Sequence, residues 1–104
     1  MSTEHIHRSI PTWSEEDRPR ERALVHGIRG LSSSECLALV LRSGTRSQTA
    51  LELARTLLAN HEDRLARLAS ADVHALQSIS GVGLAKAAAV AAAFELGRRA
   101  SRSE

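Results

Sequence analysis

The stretch that decides the fold is Ile79-Ser80-Gly81-Val82-Gly83-Leu84-Ala85-Lys86-Ala87. A short apolar segment, residues 73–79, leads into it, and an alanine-rich segment that favours helix follows it. The two glycines permit a tight turn, including positive φ, and leave no side chain in the way of a ligand. Because the first N–H groups of a helix lack partners within the helix, we expect a small anion-binding concavity here. Lys86, the only lysine of the chain, stands one turn into that helix and would add a full charge.

Over about residues 73–90 the sequence resembles the helix-hairpin-helix motif of DNA-binding proteins. In that family the hairpin glycines present N–H groups to a DNA phosphate and do not read sequence. The resemblance implies a phosphate site made of Gly81, Val82, Gly83, Leu84, Ala85 and Lys86. The alternative is a helical hairpin whose glycines serve only packing or protein binding. The dinucleotide-binding fingerprint does not fit, because it needs a third glycine where Lys86 stands.

Composition favours one small all-α domain. The chain has 104 residues, and Trp13 and Phe94 are its only aromatic side chains, so leucine and alanine must fill the interior. A net charge of +2 permits nucleic-acid binding without requiring it. The single cysteine, Cys36, excludes an internal disulfide and is typical of a cytoplasmic protein, and we expect it to be buried. No apolar run approaches the roughly 20 residues of a membrane span.

Capping signals divide the chain into five or six short helices. Ser32 and Glu35 have the spacing of a capping box before the apolar run 36–41, which predicts a central, buried helix. Thr45 or Ser47 is expected to cap the next helix, over residues 48–59. The other predicted features are Asp17 and Gly27 as the ends of the first helix, Ala50, Leu51, Ala54, Leu57 and Leu58 as the inner face of helix 48–59, Leu65 and Leu68 in a connecting helix, Ser70 as the cap of the next, Phe94 and Leu96 closing the core, and Gly97 opening a polar tail.

Residues 41–50 look like a degenerate copy of the first hairpin. Ser43 and Thr45 stand where the glycines would be, and Gln48 stands where Lys86 does. Two such hairpins joined by a short helix would form a double helix-hairpin-helix fold, which is SAM-like. In this interpretation Arg42, Arg46 and Gln48 support the phosphate site of the glycine hairpin.

The sequence predicts no catalytic residue, no metal site and no cofactor. His5 and His7 form a His-x-His pair, but a pair near a terminus is more simply part of a flexible segment. His61 beside Glu62-Asp63 is more simply a solvated loop than a metal site. Histidine occurs with cysteine, serine or aspartate at no spacing typical of nucleophilic catalysis.

Several motifs in order resemble the N-terminal domain of the bacterial RadC family, traditionally labelled DNA repair proteins. They are Trp13, Asp17-Arg18-Pro19-Arg20-Glu21, Leu31-Ser32 to Glu35, Leu39-Val40-Leu41-Arg42-Ser43-Gly44-Thr45 and the glycine hairpin. The resemblance implies a flexible segment 1–16, a helix-hairpin-helix domain 17–99 and a tail or linker 100–104. Family members normally continue into a metal-dependent JAB/MPN-type domain, so the chain would be an excised domain or a shortened relative. The expected function is binding to duplex or junction DNA, and the alternative is protein docking or dimerisation.

Overall fold

The structure, a computed structural model, describes residues 18–102, and these residues form helices and loops without strands. The helices are α1 (Arg18–His26), α2 (Ser33–Leu41), α3 (Ala50–Ala59), α4 (Leu65–Ala69), α5 (Val73–Gln77) and α6 (Leu84–Arg102), with a 3-10 turn at Ile28–Gly30. The predicted all-α bundle is therefore confirmed. Within the described range, no helix combines the length and the apolar character needed to cross a membrane. The predictions for the flexible segment 1–16, the pair His5 and His7 and the Asp17 cap lie outside the described residues.

Helix α2 packs against both α3 and α6 and is the centre of the bundle. Its predicted capping box is present: the N–H of Glu35 donates to Ser32 Oγ at 3.1 Å, and the N–H of Ser32 donates to Glu35 Oε1 at 2.8 Å. Leu37 and Leu41 are buried. Cys36, expected to be buried, is only half-buried, because it faces an apolar groove beside Val40 and Phe94.

Helix α3 begins at Ala50, two residues later than predicted, because Thr49 is its cap rather than Thr45 or Ser47. The N–H of Glu52 donates to Thr49 Oγ1 at 3.1 Å, and the N–H of Thr49 donates to Glu52 Oε1 at 2.9 Å. The predicted inner face is buried at every position except Leu51, which is half-buried. The prediction of this face omitted Leu53, whose side chain is fully buried.

Helix α6 closes the core and extends further than predicted. Ala87 and Val90 are fully buried, so α6 approaches α2 closely. Phe94 packs against the core, but Leu96 is 64% exposed, so the prediction that it closes the core is wrong. The helix also continues through Gly97 to Arg102 rather than giving way to a tail. The roughly 1 kcal/mol cost of a helical glycine is offset only in part by two exposed ion pairs across that turn, which join Glu95 to the arginines that follow Gly97 at 3.2 and 3.0 Å.

The chain forms two hairpins, α2–α3 and α5–α6, joined by α4. Asp72, not the predicted Ser70, caps α5, since its carboxylate accepts the N–H of Ala75 at 2.8 Å. Ser70 instead ends α4, where its hydroxyl donates to the carbonyl of Ala66 at 3.1 Å. In the α2–α3 loop, Gly44 runs so close to the start of α3 that a Cβ there would overlap the carbonyl oxygen of Gln48.

Candidate nucleic-acid interface

The turn between α5 and α6 is fixed by Gly81 and Val82. Gly81 has φ +91°, and a Cβ on it would lie 3.1 Å from Thr45 Cγ2 and 3.3 Å from Leu53 Cδ1. Val82 is 4% exposed, and its N–H donates to the carbonyl of Ile79 at 3.0 Å. The turn is thus anchored in the core and also rests against the other hairpin.

Just beyond this anchor the first turn of α6 is open. The carbonyl of Gly83 accepts the N–H of Ala87 at 2.9 Å, which makes Gly83 the N-cap residue. Within residues 18–102, the N–H groups of Gly83, Leu84 and Ala85 donate to no acceptor. Gly83 has no side chain to cap the helix, and a Cβ there would meet nothing within 4 Å. The positive end of the α6 dipole therefore faces open space at Gly83.

In the α2–α3 turn, which corresponds to this one in the other hairpin, side chains accept several of the backbone N–H groups. Thr45 Oγ1 accepts the N–H groups of Ser47 and Gln48, both at 3.2 Å, and the Thr49 capping box follows directly. The side chain of Gln48 donates from Nε2 to Thr56 Oγ1 at 3.0 Å, so it is directed to α3. Arg46 is exposed beside this turn. At the start of α3 the capping box holds the N–H groups of Thr49 and Glu52, whereas Gly83 offers no side chain that could cap α6 in the same way.

Lys86 connects the two hairpins. Its Nζ donates to the carbonyl of Leu41 at 3.4 Å and to Ser43 Oγ at 3.2 Å, across 45 and 43 positions of sequence. The ammonium therefore lies at the C-terminal end of α2, where a cation is stabilised by the helix dipole. Sequence reasoning placed Lys86 at the phosphate site and missed this second, structural contact, because no local pattern indicates so distant a partner.

Arg42 occupies a strained turn at the same end of α2. Its φ is 73° and its ψ is −40°, and the N–H of Ser43 donates to the carbonyl of Leu41 at 2.9 Å. This is a γ-turn with positive φ at its central residue, a rare conformation for a side chain other than glycine. Arg42 is exposed, and it lines the same cavity as Lys86.

One arginine of α1, Arg22, forms an ion pair within the protein. Arg22 Nε lies 2.6 Å from Glu35 Oε2 and ties α1 to the start of α2. The hydrogen bond from the Ser32 backbone and, next among the favourable effects, the Arg22 charge hold the pKa of the Glu35 carboxyl below its usual value. Arg22 is therefore not a candidate phosphate contact.

A protein-family model described as UPF0758 N-terminal matches residues 10–88. The chain belongs to the UPF0758 family. The match confirms the resemblance to the N-terminal region of the RadC family, and it covers the α2–α3 hairpin, the turn between α5 and α6 and every candidate phosphate-binding residue.

Relatives within the UPF0758 family are close over nearly the whole chain. A UPF0758 protein of Dechloromonas aromatica (strain RCB) is 50% identical over 96 residues, which is 92% of this chain and 42% of the relative. Those of Desulforudis audaxviator (strain MP104C) and Moorella thermoacetica are 48% and 54% identical over 97% and 81% of this chain, and over 43% and 36% of their own lengths. The chain thus spans less than half the length of these relatives. No solved structure matches it significantly.

The described part of this UPF0758 chain contains no group of three His, Cys, Asp or Glu side chains placed to hold a metal ion. His61, considered above with Glu62-Asp63, has its Nδ1 2.8 Å from the carbonyl oxygen of Leu57. The three residues form the tight turn that ends α3, where Glu62 and Asp63 both have positive φ. The turn therefore has a structural explanation.

Proposed function

We propose that this UPF0758 domain binds the phosphate backbone of DNA, without reading sequence, at the open first turn of α6. The observation that carries the proposal is the difference between the two hairpins. Within residues 18–102 the N–H groups of Gly83, Leu84 and Ala85 have no acceptor. In the α2–α3 turn, by contrast, side chains accept the N–H groups of Ser47, Gln48, Thr49 and Glu52. A helix N-terminus with free amides and glycines beside it is suited to hold a phosphate oxygen.

The charge distribution supports an anionic partner. Several acidic side chains, among them Glu15, Glu16 and Asp17, precede α1, so the described helices carry a larger excess of arginine over acid than the whole chain does. Arg42 and Arg46 lie on the loop next to the glycine hairpin and give supporting charge. Contacts of this kind position a protein on DNA and specify no base.

The expected affinity is low and sensitive to salt. A site that neutralises few phosphates falls in the non-specific range of about 10⁻⁴ to 10⁻⁶ M at physiological salt. The chain has no tyrosine, and Phe94 packs against the core, so a stacking platform for single strands is lacking in residues 18–102. Duplex or junction backbone is therefore the preferred target. A role in DNA repair or recombination, in the cytoplasm and without catalysis by this region, would agree with such binding.

Gly83→Asp provides a sharp test. The position has open space for a side chain and no positive φ, so aspartate should cap α6 and leave stability unchanged or higher by up to about 1 kcal/mol. The same carboxylate would occupy the anion site and repel phosphate. We expect binding to duplex DNA, measured by fluorescence anisotropy at low salt, to fall at least tenfold, roughly the effect of losing one charge-assisted hydrogen bond.

Arg55→Gln is the matched control, because it lowers the net charge by the same amount on an exposed face of α3. If the two variants weaken binding equally, the effect is one of net charge and the hairpin is not the site. Undiminished binding by Gly83→Asp contradicts the proposal directly. Lys86→Glu is a poorer test, because it would also remove the contacts of Lys86 with Leu41 and Ser43.

A second candidate function, protein docking or dimerisation, is favoured by one apolar patch. Leu24 and Val25 at the end of α1 are 80% and 62% exposed, and Ile28 in the 3-10 turn that follows is 56% exposed. Such a patch is typical of an interaction surface. A JAB/MPN-type domain, implied by the RadC resemblance, is one candidate partner. Light scattering tests self-association: a mass that rises with concentration and is restored to 11.2 kDa by Leu24→Ser would support dimerisation.

A further inference from the structure

A cavity of about 620 Å³ lies where the start of α1, the end of α2 and the first turns of α6 meet. Part of its wall is apolar, formed by Pro19, Leu39 and Ala89. Leu39 is only half-buried, although it belongs to the central helix of the bundle. Ala85, whose N–H has no acceptor within residues 18–102, lines the same cavity. The cavity and the candidate phosphate site are therefore direct neighbours.

The cavity also carries positive charge. Arg42 and Lys86 line it, and the hydrogen bonds of Lys86 Nζ go to neutral groups, the carbonyl of Leu41 and the hydroxyl of Ser43. Such bonds leave the charge of the ammonium group in place. Among residues 18–102, no acidic side chain lines the cavity. The cavity therefore suits an occupant that combines an apolar group with negative charge.

The chain itself carries such a segment directly before α1. The segment reads Trp13-Ser14-Glu15-Glu16-Asp17 and contains the only tryptophan of the chain and three acidic side chains. Asp17 is the predicted cap of α1, which leaves Glu15 and Glu16 for the cavity. The family match begins at residue 10, so the segment lies within the part of the chain that the family model covers.

This segment adjoins the cavity because α1 begins there. Arg18 is the first residue of α1, and Pro19 after it is buried and lines the cavity. Five residues reach at most about 17 Å when extended, whereas a sphere of 620 Å³ is about 11 Å across. Trp13 can therefore reach any part of the wall. A tether this short keeps the local concentration of the segment in the mM range, so even weak docking fills the cavity.

We propose that the segment 13–17 covers this cavity, with the indole of Trp13 against the apolar wall and the two glutamates towards the cations. A buried aromatic side chain of this kind removes about 150–250 Å² of surface from water, which stabilises the docked state more than exposed charge pairs do. The proposal departs from the flexible segment 1–16 expected from the family resemblance, and only for residues 13–16.

The docked segment has a consequence for DNA binding, and this consequence rests on the proposed function. Because Ala85 lines the cavity, carboxylates at its mouth stand beside the first turn of α6 and repel a phosphate that approaches the open amides. The segment therefore lowers the affinity of the domain for DNA. Docking itself does not require that the hairpin binds DNA, so the two are tested separately.

Tryptophan fluorescence of the whole chain reports docking directly, because Trp13 is the only tryptophan. We expect an emission maximum to the blue of that of the urea-unfolded chain, together with weaker quenching by acrylamide. Leu39→Glu, which places a carboxylate in the apolar wall, should shift the emission to the red. Leu96→Glu makes the same change at an exposed position of α6 outside the cavity and should leave the emission unchanged. Circular dichroism checks that both variants keep their helices.

A second measurement leaves the cavity residues as they are. In ¹⁵N NMR spectra, Trp13→Ala should shift the amide signals of Leu39, Arg42 and Ser43 and leave those of α4 in place. Docking is overturned if the emission of the wild type already matches that of the unfolded chain. It is also overturned if the amide shifts caused by Trp13→Ala stay within the residues next to it in sequence.

The effect on DNA is measured by fluorescence anisotropy of a labelled duplex at low salt. Glu15→Gln combined with Glu16→Gln should raise the affinity about fivefold, the joint effect of two exposed charge contacts. The matched control, Glu62→Gln with Asp63→Asn, removes the same charge from the exposed turn after α3. Equal gains in the two double variants would show an effect of net charge and overturn the shielding of the phosphate site. If no variant binds DNA, the proposed function is wrong, and the fluorescence and NMR results still decide whether the segment docks.

Discussion

Gly81→Ala should destabilise the domain far more than Gly83→Ala, although the two glycines are only two positions apart. At Gly81 an alanine must adopt φ +91°, which costs about 1–2 kcal/mol. Its Cβ would also lie 3.1 Å from Thr45 Cγ2 and 3.3 Å from Leu53 Cδ1, and overpacking of a core contact costs typically about 1–3 kcal/mol. Because alanine restricts the unfolded chain and returns part of this, about 0.4–1 kcal/mol, we expect a net loss of about 2–4 kcal/mol.

Gly83 has neither constraint, since its φ is not positive and its Cβ would contact nothing within 4 Å. Alanine at this cap position should cost under about 1 kcal/mol. Thermal unfolding followed by circular dichroism measures the difference, and in a domain of this size each kcal/mol shifts Tm by about 4–8 °C. Equal Tm values for Gly81→Ala and Gly83→Ala would refute the argument that Gly81 is required by backbone strain and by contact between the hairpins.

Four further predictions concern packing, capping, pH and the contact of Lys86 with the other hairpin. Leu53→Ala should lower the free energy of unfolding by about 2–5 kcal/mol in urea titration, because the side chain is fully buried; a loss under 1 kcal/mol would show that the site collapses freely. Ser32→Ala should lower it by about 1 kcal/mol through the lost cap, and Ser33→Ala, just inside the helix, serves as its control. The depressed pKa of Glu35 contributes stability that is present above the unfolded pKa of about 4.3 and is lost as the pH falls through the lower folded pKa. Glu35→Gln should therefore reduce the dependence of Tm on pH below about pH 5, and an unchanged pH profile would contradict this assignment. Lys86→Met should lower Tm by several degrees, because the carbonyl of Leu41 and the hydroxyl of Ser43 lose a donor; a Tm equal to that of the wild type would show that these contacts add nothing.

Features that depend on residues close in sequence were predictable. The Ser32–Glu35 box sets the start of α2 because both of its hydrogen bonds join residues three positions apart. The same signal, Thr49 with Glu52, was present at the start of α3 and would have placed that boundary correctly. Leu53 also fits the helical spacing of its neighbours and could have been included in the inner face.

Features that depend on distant residues were not predictable in this way. The partners of Lys86 lie more than forty positions away, so its position at the end of α2 follows from how the hairpins pack. One cavity is lined by Arg20, Arg42 and Lys86, which are far apart in the sequence, and nothing near any one of them indicates the other two. The γ-turn at Arg42 is likewise unexpected, because the sequence places an arginine where glycine would be favoured.

The three glycines Gly44, Gly81 and Gly83 have a consequence for mutational scanning. At Gly44 any side chain would overlap the backbone at the start of α3, so every substitution should reduce the abundance of the protein in cells. Gly81 should behave in the same way, whereas substitutions at Gly83 should leave abundance unchanged. A scan that scores abundance and DNA binding separately would therefore show intolerance to mutation at all three glycines for binding, but at only two of them for folding.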